Sequence, residues 1–406
     1  MRRRSFAFVL ASILAFAGVA RADDPATLTK KDHTEFLVVP DTGGDSDTGV
    51  EVGVGITLAR FEKGYRPYRY RVDVLLGTSF KVDPGFRLVQ HRYSARLDSP
   101  GLLGGKLRLD TRLAYLRQGD ISWFGEGNAS NGSEVPVAGT SRQRDEYLDE
   151  SIRLRSLGRY RIGPAVEIAF FPHLRRESPG VFAGTKLEDD IARGRVVGGG
   201  PSYLATLAAG LVIDTRDEEF IPTRGIFYQL GVADTVGSAD GVHFGEASAT
   251  LMHYVPFGKR VVFASRMLAS FKFGTIPFYE LQQGGVFDPI YMVGGYRGIR
   301  GIRLGRFAGA VKLVSNIEFR VFPIDPFKIM GKRMLIGFDG FFDSGRVFKD
   351  YAISSPEDGR KVGFKFGAGG GVLFQWDTAN VFRVEIASSP THGGAPLFYF
   401  ENGVIF

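Results

Sequence analysis

The sequence has no cysteine, which excludes disulfide scaffolds, thiolate metal sites and cysteine nucleophiles together. Its six histidines (His33, His91, His173, His243, His253, His392) are scattered, with no His-x3-His or HExxH spacing for zinc. No GxSxG elbow marks a serine hydrolase. The glycine cluster at Gly367–Gly371 lacks the GK[ST] ending of a phosphate loop and lies within an alternating stretch, where glycine thins a crowded wall. A large charge excess is also missing. The formal charge of +7 falls to +3 once Arg2, Arg3, Arg4 and Arg21 are set aside, and this balance offers no patch for nucleic acid. Beyond the amino terminus no apolar run approaches the roughly 20 residues of a spanning helix, so a helical membrane protein is excluded.

What is present begins with an export signature. Arg2–Arg4 precede the almost wholly apolar Phe6–Ala20, and Ala20-Arg21-Ala22 forms a small-x-small cleavage site before Asp23. We therefore expect a signal peptide over 1–22, a short periplasmic segment over 23–33 and a single domain over 34–406. The 44% hydrophobic and 13% aromatic content excludes a disordered chain.

Along that domain the side chains alternate. Tyr68, Tyr70, Val72, Val74 and Leu76 oppose Arg69, Arg71, Asp73 and Leu75; Leu107, Leu109, Thr111, Leu113 and Tyr115 oppose Lys106, Arg108, Asp110 and Arg112. Strand side chains point alternately to opposite faces, so one face is apolar and the other charged. A soluble sandwich alternates too, but its strands average about five or six residues. Here the runs extend for about 9–14 residues, the length that crosses a bilayer at a tilt.

The pattern predicts an all-β transmembrane antiparallel barrel. Its sixteen strands fall near 34–40, 49–62, 67–80, 86–97, 105–118, 147–157, 160–171, 203–215, 225–235, 242–256, 260–273, 307–322, 333–347, 362–376, 380–388 and 396–406. An even count puts both termini in the periplasm. The long connections 119–146, 172–202, 274–306 and 348–361 then share the extracellular side. Thr185–Arg193 reads as a short helix within one of them, and Asn128–Gly139 as a loop tip.

Three stretches resemble the barrel of the BamA/TamA outer-membrane assembly superfamily, the bacterial surface antigen family. Asp214–Gly225 (DTRDEEFIPTRG) is similar to its D-T-R-D…P-x-x-G turn. In it Pro222 and Gly225 make the turn, and Asp214, Arg216 and Asp217 brace it. Gly294–Phe307 (GGYRGIRGIRLGRF) resembles its GG-x3-[VLI]-R-G-[FY]…G-R-F pattern, with Gly294, Gly295, Arg300, Gly301, Arg306 and Phe307 at the matching positions. Ile302 stands where an aromatic is usual. Arg297-Gly298 is a competing register, but the spacing to Arg306-Phe307 favours Arg300. Asn316–Arg320 and Phe341–Val347 are similar to the family's next two strands, and parity independently puts Glu318 and Asp343 on the polar face. The resemblance implies that the long loop folds back into the lumen and that Arg300 meets these acids. Phe398, Phe400, Val404 and the terminal Phe406 resemble the carboxy-terminal assembly signal of outer-membrane barrels, which is also how a lipid-facing strand reads.

By this resemblance the chain is a barrel-only member without transport-associated domains. It is expected to work without catalysis or cofactor, among outer-membrane lipids, on client outer-membrane proteins or with a periplasmic helper. A short first strand, followed by a Pro40–Thr48 turn region, and a last strand carrying Gly403 would leave a weak seam that opens laterally. The alternative is a passive or gated pore, with Arg69, Arg71, Arg108, Arg112, Arg153 and Arg155 favouring anions. Turnover of a lipid or peptide would mark an enzyme instead, and partner-binding loops a scaffold.

Overall fold

The computed structural model describes residues 32–406 except 66–67, 83–84, 132–134, 139–142, 330–331, 353–354, 360–361, 377–379 and 403–405. The expected signal peptide, most of the 23–33 segment, Gly403 and Val404 lie outside the described residues.

The alternating runs form long strands: β1 (His33–Asp45), β2 (Gly49–Phe61), β3 (Tyr70–Lys81), β4 (Arg87–Gly101), β5 (Leu107–Ser122), β6 (Glu146–Arg161), β7 (Val166–Glu177) and β8 (Ser202–Asp214). The chain continues through β9 (Gly225–Gly237), β10 (His243–Phe257), β11 (Val261–Thr275), β12 (Val311–Val321), β13 (Lys332–Phe348), β14 (Lys365–Trp376), β15 (Asn380–Ser388) and β16 (Leu397–Asn402). Each is antiparallel to its neighbour, β16 returns to β1, and the sheet closes into a sixteen-strand barrel. A short strand, Phe327–Ile329, extends the hairpin of β12 and β13.

The two faces of each strand differ as lipid and lumen require. In β7, Ala169, Phe171, His173, Arg175 and Glu177 are buried while Ile168, Phe170 and Leu174 are exposed. In β8 the exposed side carries Tyr203 and Leu207, 66% and 72% accessible. Such a belt of bare apolar side chains would be a liability in water and is a solvent match in hydrocarbon.

Among the buried apolar clusters, the one with most residues lies at the ends of the strands. Trp123, Tyr147, Leu187, Val196, Phe278, Tyr279 and Leu281 pack together where the connections 123–145, 178–201 and 276–310 meet, at one mouth of the barrel. Helix α1 (Lys186–Ala192) lies in the second of these connections, and Thr185 caps it by accepting from the Glu188 amide.

Three expectations are corrected. First, β1 is not a short strand ending at Pro40. It runs to Asp45 and pairs with β2 along its whole length, and only Ser46–Thr48 turn, capped by the Asp45 carboxylate. Second, the predicted turn at 158–159 lies within β6, so β7 starts at Val166 instead of near 160. Gly158 is a seat for the Phe170 ring: a Cβ there would stand 1.9 Å from it. Third, Phe406 does not face lipid. Its ring is buried against Tyr254 and Ala264, with the Arg266 and Arg320 guanidinium groups each 5.2 Å from its centroid. Its main-chain oxygen accepts from Arg320 at 2.8 Å. Phe398 is exposed and Phe400 partly so.

Candidate functional site

The connection between β11 and β12, residues 276–310, carries the glycine-rich stretch and makes polar contacts with the buried faces of many strands. Gly294 has φ +127° and Gly295 φ +86°, and a Cβ on Gly294 would stand 2.1 Å from the Arg303 carbonyl oxygen. These glycines let residues 294–303 fold into a compact knot closed by the Gly295 amide on the Ile302 carbonyl, 2.8 Å. Ile302 fills the position of the usual aromatic and is buried with Met292, Val293, Ile299, Phe307, Val314 and Val347.

The knot presents Arg300. Its Nε and one terminal nitrogen donate to the Asp343 carboxylate at 2.8 and 2.9 Å, a bidentate fork, and its own amide donates to the same group at 3.0 Å. Its other terminal nitrogen lies 2.8 Å from Glu318 and 3.0 Å from Glu385. The guanidinium stacks 3.3 Å from the Phe341 ring centroid. Arg300 and Asp343 are wholly buried. The charge of Arg300 is thus shared among three carboxylates on β12, β13 and β15. Burial opposes that charge, but those carboxylates hold its pKa above the ordinary arginine value.

Small residues permit this approach. A Cβ on Gly367 of β14 would stand 1.8 Å from the Arg300 carbonyl oxygen, and one on Gly301 2.6 Å from the Ser388 backbone. Tyr399 of β16 accepts the Gly301 amide at 2.9 Å. Asn316 bridges, donating to Asp343 and to the Gly298 carbonyl at 2.8 and 2.7 Å. Arg306 stacks on Phe124 and donates to Ser130 across the mouth, while Phe307 packs with Ile302.

Sequence reasoning missed a second anchor on the same connection. Helix α2 (Phe278–Leu281) buries Glu280, which meets Arg175 of β7 at 2.6 Å and Lys272 of β11 at 2.5 Å. Lys272 lies 3.6 Å from Glu246 of β10, whose carboxylate accepts the Gly285 amide at 2.7 Å. Between the anchors, Asp288 pairs with Arg297 and lies 3.8 Å from Arg155. The lead that existed was parity: Arg175, Lys272 and Glu385 all stand on the polar face of their strands.

The other predicted motif lies at the opposite mouth. Asp214 accepts from the Arg216 amide and guanidinium at 2.8–3.1 Å, and Arg216 stacks 4.6 Å above Phe227. Asp217 accepts from the amides of Glu218, Thr223 and Arg224 and from the Thr223 hydroxyl. Burial raises its pKa, but these hydrogen bonds prevail and hold it below the ordinary carboxylate value. Pro222 is buried, and Gly225 has φ +109° with the Thr215 carbonyl 2.4 Å from where a Cβ would be. This turn reaches inward: Ile221 packs with Val262, Phe322 and Val381, and Glu219 lies 3.4 Å from Arg108 of β5.

Of the six candidate pore arginines, Arg69, Arg71, Arg108, Arg153 and Arg155 each have a carboxylate within 4 Å, so their charge is largely answered. Among the described residues no group of histidine and acidic side chains could hold a metal ion. Between β1 and β16 the described register holds Gly44 with Phe400 and Asp45 with Tyr399, beyond which Ser46 donates to the Phe398 carbonyl.

A closed antiparallel barrel with a lipid-like exterior, polar inner face and a long, anchored connection defines an outer-membrane type of β-barrel. Residues 125–388 match the Omp85 superfamily domain, and the chain belongs to that superfamily. Among solved structures it is similar to BamA from Haemophilus ducreyi lacking POTRA domains 1–3, at 10% identity and TM-score 0.60, covering 93% of this chain and 76% of that one. It is also similar to CdiB from Escherichia coli, at 13% identity and TM-score 0.56, covering 93% and 68%. CdiB from Acinetobacter baumannii gives 10% identity and TM-score 0.52, covering 92% and 65%. At these identities the likeness is one of fold. Comparison with the curated proteins gives no match.

Proposed function

We propose that this barrel inserts or translocates client proteins at the outer membrane without catalysis, using the junction of β1 and β16 as a lateral seam. In this reading residues 276–310 are an extracellular loop docked in the lumen, the termini are periplasmic, and a cleaved signal peptide directs export. The observation that carries it is the short described contact between β1 and β16. His33–Gly43 pair with β2, whereas only Gly44 and Asp45 pair with β16 among the described residues. Where the two strands part, the freed edge would be a template for an incoming strand. Phe36 and Val38, 68% and 52% exposed, would meet lipid or an apolar client face.

The pore reading is less well supported. Ion-paired arginines give little net positive field, and both mouths are crossed by protein, one by residues 276–310 and the other by the Ile221 turn. A photo-crosslinker at Phe36, compared with one at Phe263 on a central strand, tests the proposal in living cells. Precursors of outer-membrane barrels captured at Phe36 alone are expected. Equal capture at both sites, or none, with steady bilayer conductance unaltered by Arg300→Ala, would sink it and favour the pore.

A further inference from the structure

Four neighbouring strands set three arginines and a histidine side by side on the polar inner face. Arg96 of β4 stands opposite Arg112 of β5, Arg112 opposite Arg155 of β6, and Arg155 opposite His173 of β7. Like charges directly across a ladder repel, so each arginine needs an answering group. Arg96 has one, with two of its nitrogens on Asp110 at 2.8 and 2.5 Å. Arg155 has a distant one, 3.8 Å away on Asp288, which also pairs with Arg297. Arg112 lies within electrostatic reach of both flanking arginines. Among the described residues it makes no ion pair, and its buried Nε has no hydrogen-bond partner. His173 is buried too, and its Nε2 has no hydrogen-bond partner among the described residues.

We propose that Arg112, Arg155 and His173 form a site on the lumenal wall for an oxyanion of the phosphate type. Their strands lie about 5 Å apart, so the donors approach a ligand from three directions. A carboxylate is matched by one guanidinium fork, whereas a tetrahedral oxyanion offers acceptors to several donors at once. Residues 286–288 close one side: Val286 and Phe287 pack with Phe171, two residues from His173 on the same face, and Asp288 lies against Arg155. The Asp288 carboxylate repels an anion from its own side of Arg155 and leaves the Arg112 side for it. Free phosphate and the headgroup phosphate of a lipid present the same oxygens, and the test below separates them. The site involves neither the Arg300 contact nor the junction of β1 with β16, so it stands or falls apart from the seam.

The full-length barrel, purified in a non-ionic detergent and shown to be folded by heat-shifted electrophoretic mobility, is dialysed to equilibrium against radiolabelled inorganic phosphate. A second arm uses glycerophosphoglycerol, a water-soluble phospholipid headgroup, and chloride matches the ionic strength in both. Saturable binding is expected, weaker by about tenfold in Arg112→Gln. It should be unchanged in Arg69→Gln, which alters an exposed arginine paired with Glu62. Tighter binding of inorganic phosphate assigns the free ion, and tighter binding of the headgroup assigns a lipid. Without either ligand, Arg112→Gln should melt at a higher temperature than the unaltered chain, because it relieves the repulsion in the row. Phosphate should then raise the melting temperature of the unaltered chain and leave that of Arg112→Gln in place. Equal affinity in Arg112→Gln, or no binding to the unaltered chain in either arm, would overturn the site. So would an Arg112→Gln barrel that melts lower or fails to fold, since the charge would then already have its partner within the protein.

Discussion

The contact of residues 276–310 with the wall and the junction of β1 with β16 sit side by side, and they are built in opposite ways. At the first, one arginine meets three buried carboxylates and an aromatic face, with every approach cleared by glycine. At the second, the backbone pairing among the described residues is that of Gly44 and Asp45, while all of β10, by contrast, pairs with β11. Desolvated charge pairs cannot be weakened by degrees, because removing one partner strands the other. A backbone ladder can be shortened one rung at a time. The barrel therefore joins a contact that is either made or broken to an edge that can be graded.

The largest break in this comparison is expected from Arg300→Ala. It strands Asp343, leaves Glu318 with Arg320 and Glu385 with Arg383, and should cost about 3–5 kcal/mol where the site stays dry. This would be read as an earlier thermal loss of the folded, heat-modifiable form and as protease access to residues 276–310. Arg300→Lys should rescue little, since an ammonium cannot make the fork. A loss no greater than that of an exposed-arginine variant would mean that the contact is wet. Glu280→Gln tests the second anchor. It removes the charge facing Arg175 and Lys272 and should cost about 1.5–3 kcal/mol in the same assay.

Gly367→Ala comes next. Its methyl group would collide with the Arg300 backbone, at about 1–3 kcal/mol as for other overpacking changes. Gly340→Ala, where a Cβ meets open space, should be neutral. On the seam side, hydrogen exchange should separate the two regions: the amides of Thr34, Phe36, Val38 and Thr42 are expected to exchange well before those of β10 and β11. Equal protection would mean that the edge is covered.

The smallest effect is electrostatic. Burial, with help from nearby Asp45, pushes the pKa of Asp47 in the β1–β2 turn up to about 7, although it accepts the Leu304 amide at 3.0 Å. An acid with a raised folded pKa contributes stability that is present at low pH and lost as pH climbs from about 4 through about 7. The turn's grip on residue 304 should loosen over that window. Asp47→Asn, which keeps an acceptor, should flatten the profile of protease access with pH.

Strand number and barrel class were legible because lipid outside and polar groups inside force a period of two on almost every segment. Arg300 was singled out through the family resemblance, and strand parity separately set Asp343 and Glu318 on the polar face. Glu280 and Tyr399 were not, since neither spacing nor period says which strands a 35-residue connection will touch. Glu385 carried the right parity but no neighbour in sequence to mark it as a partner.

Alternation by itself thus determined the sheet, its exposed and buried faces and the order of its strands, because side-chain direction in a strand is a local property. Only the closed tertiary structure decided where β1 ends, that Gly158 seats a ring instead of turning the chain, that Phe406 tucks beneath two arginines, and that Gly44 and Asp45 of β1 meet β16. Each of these depends on a partner far away in sequence, and the physics of contact becomes available only once the ring has formed.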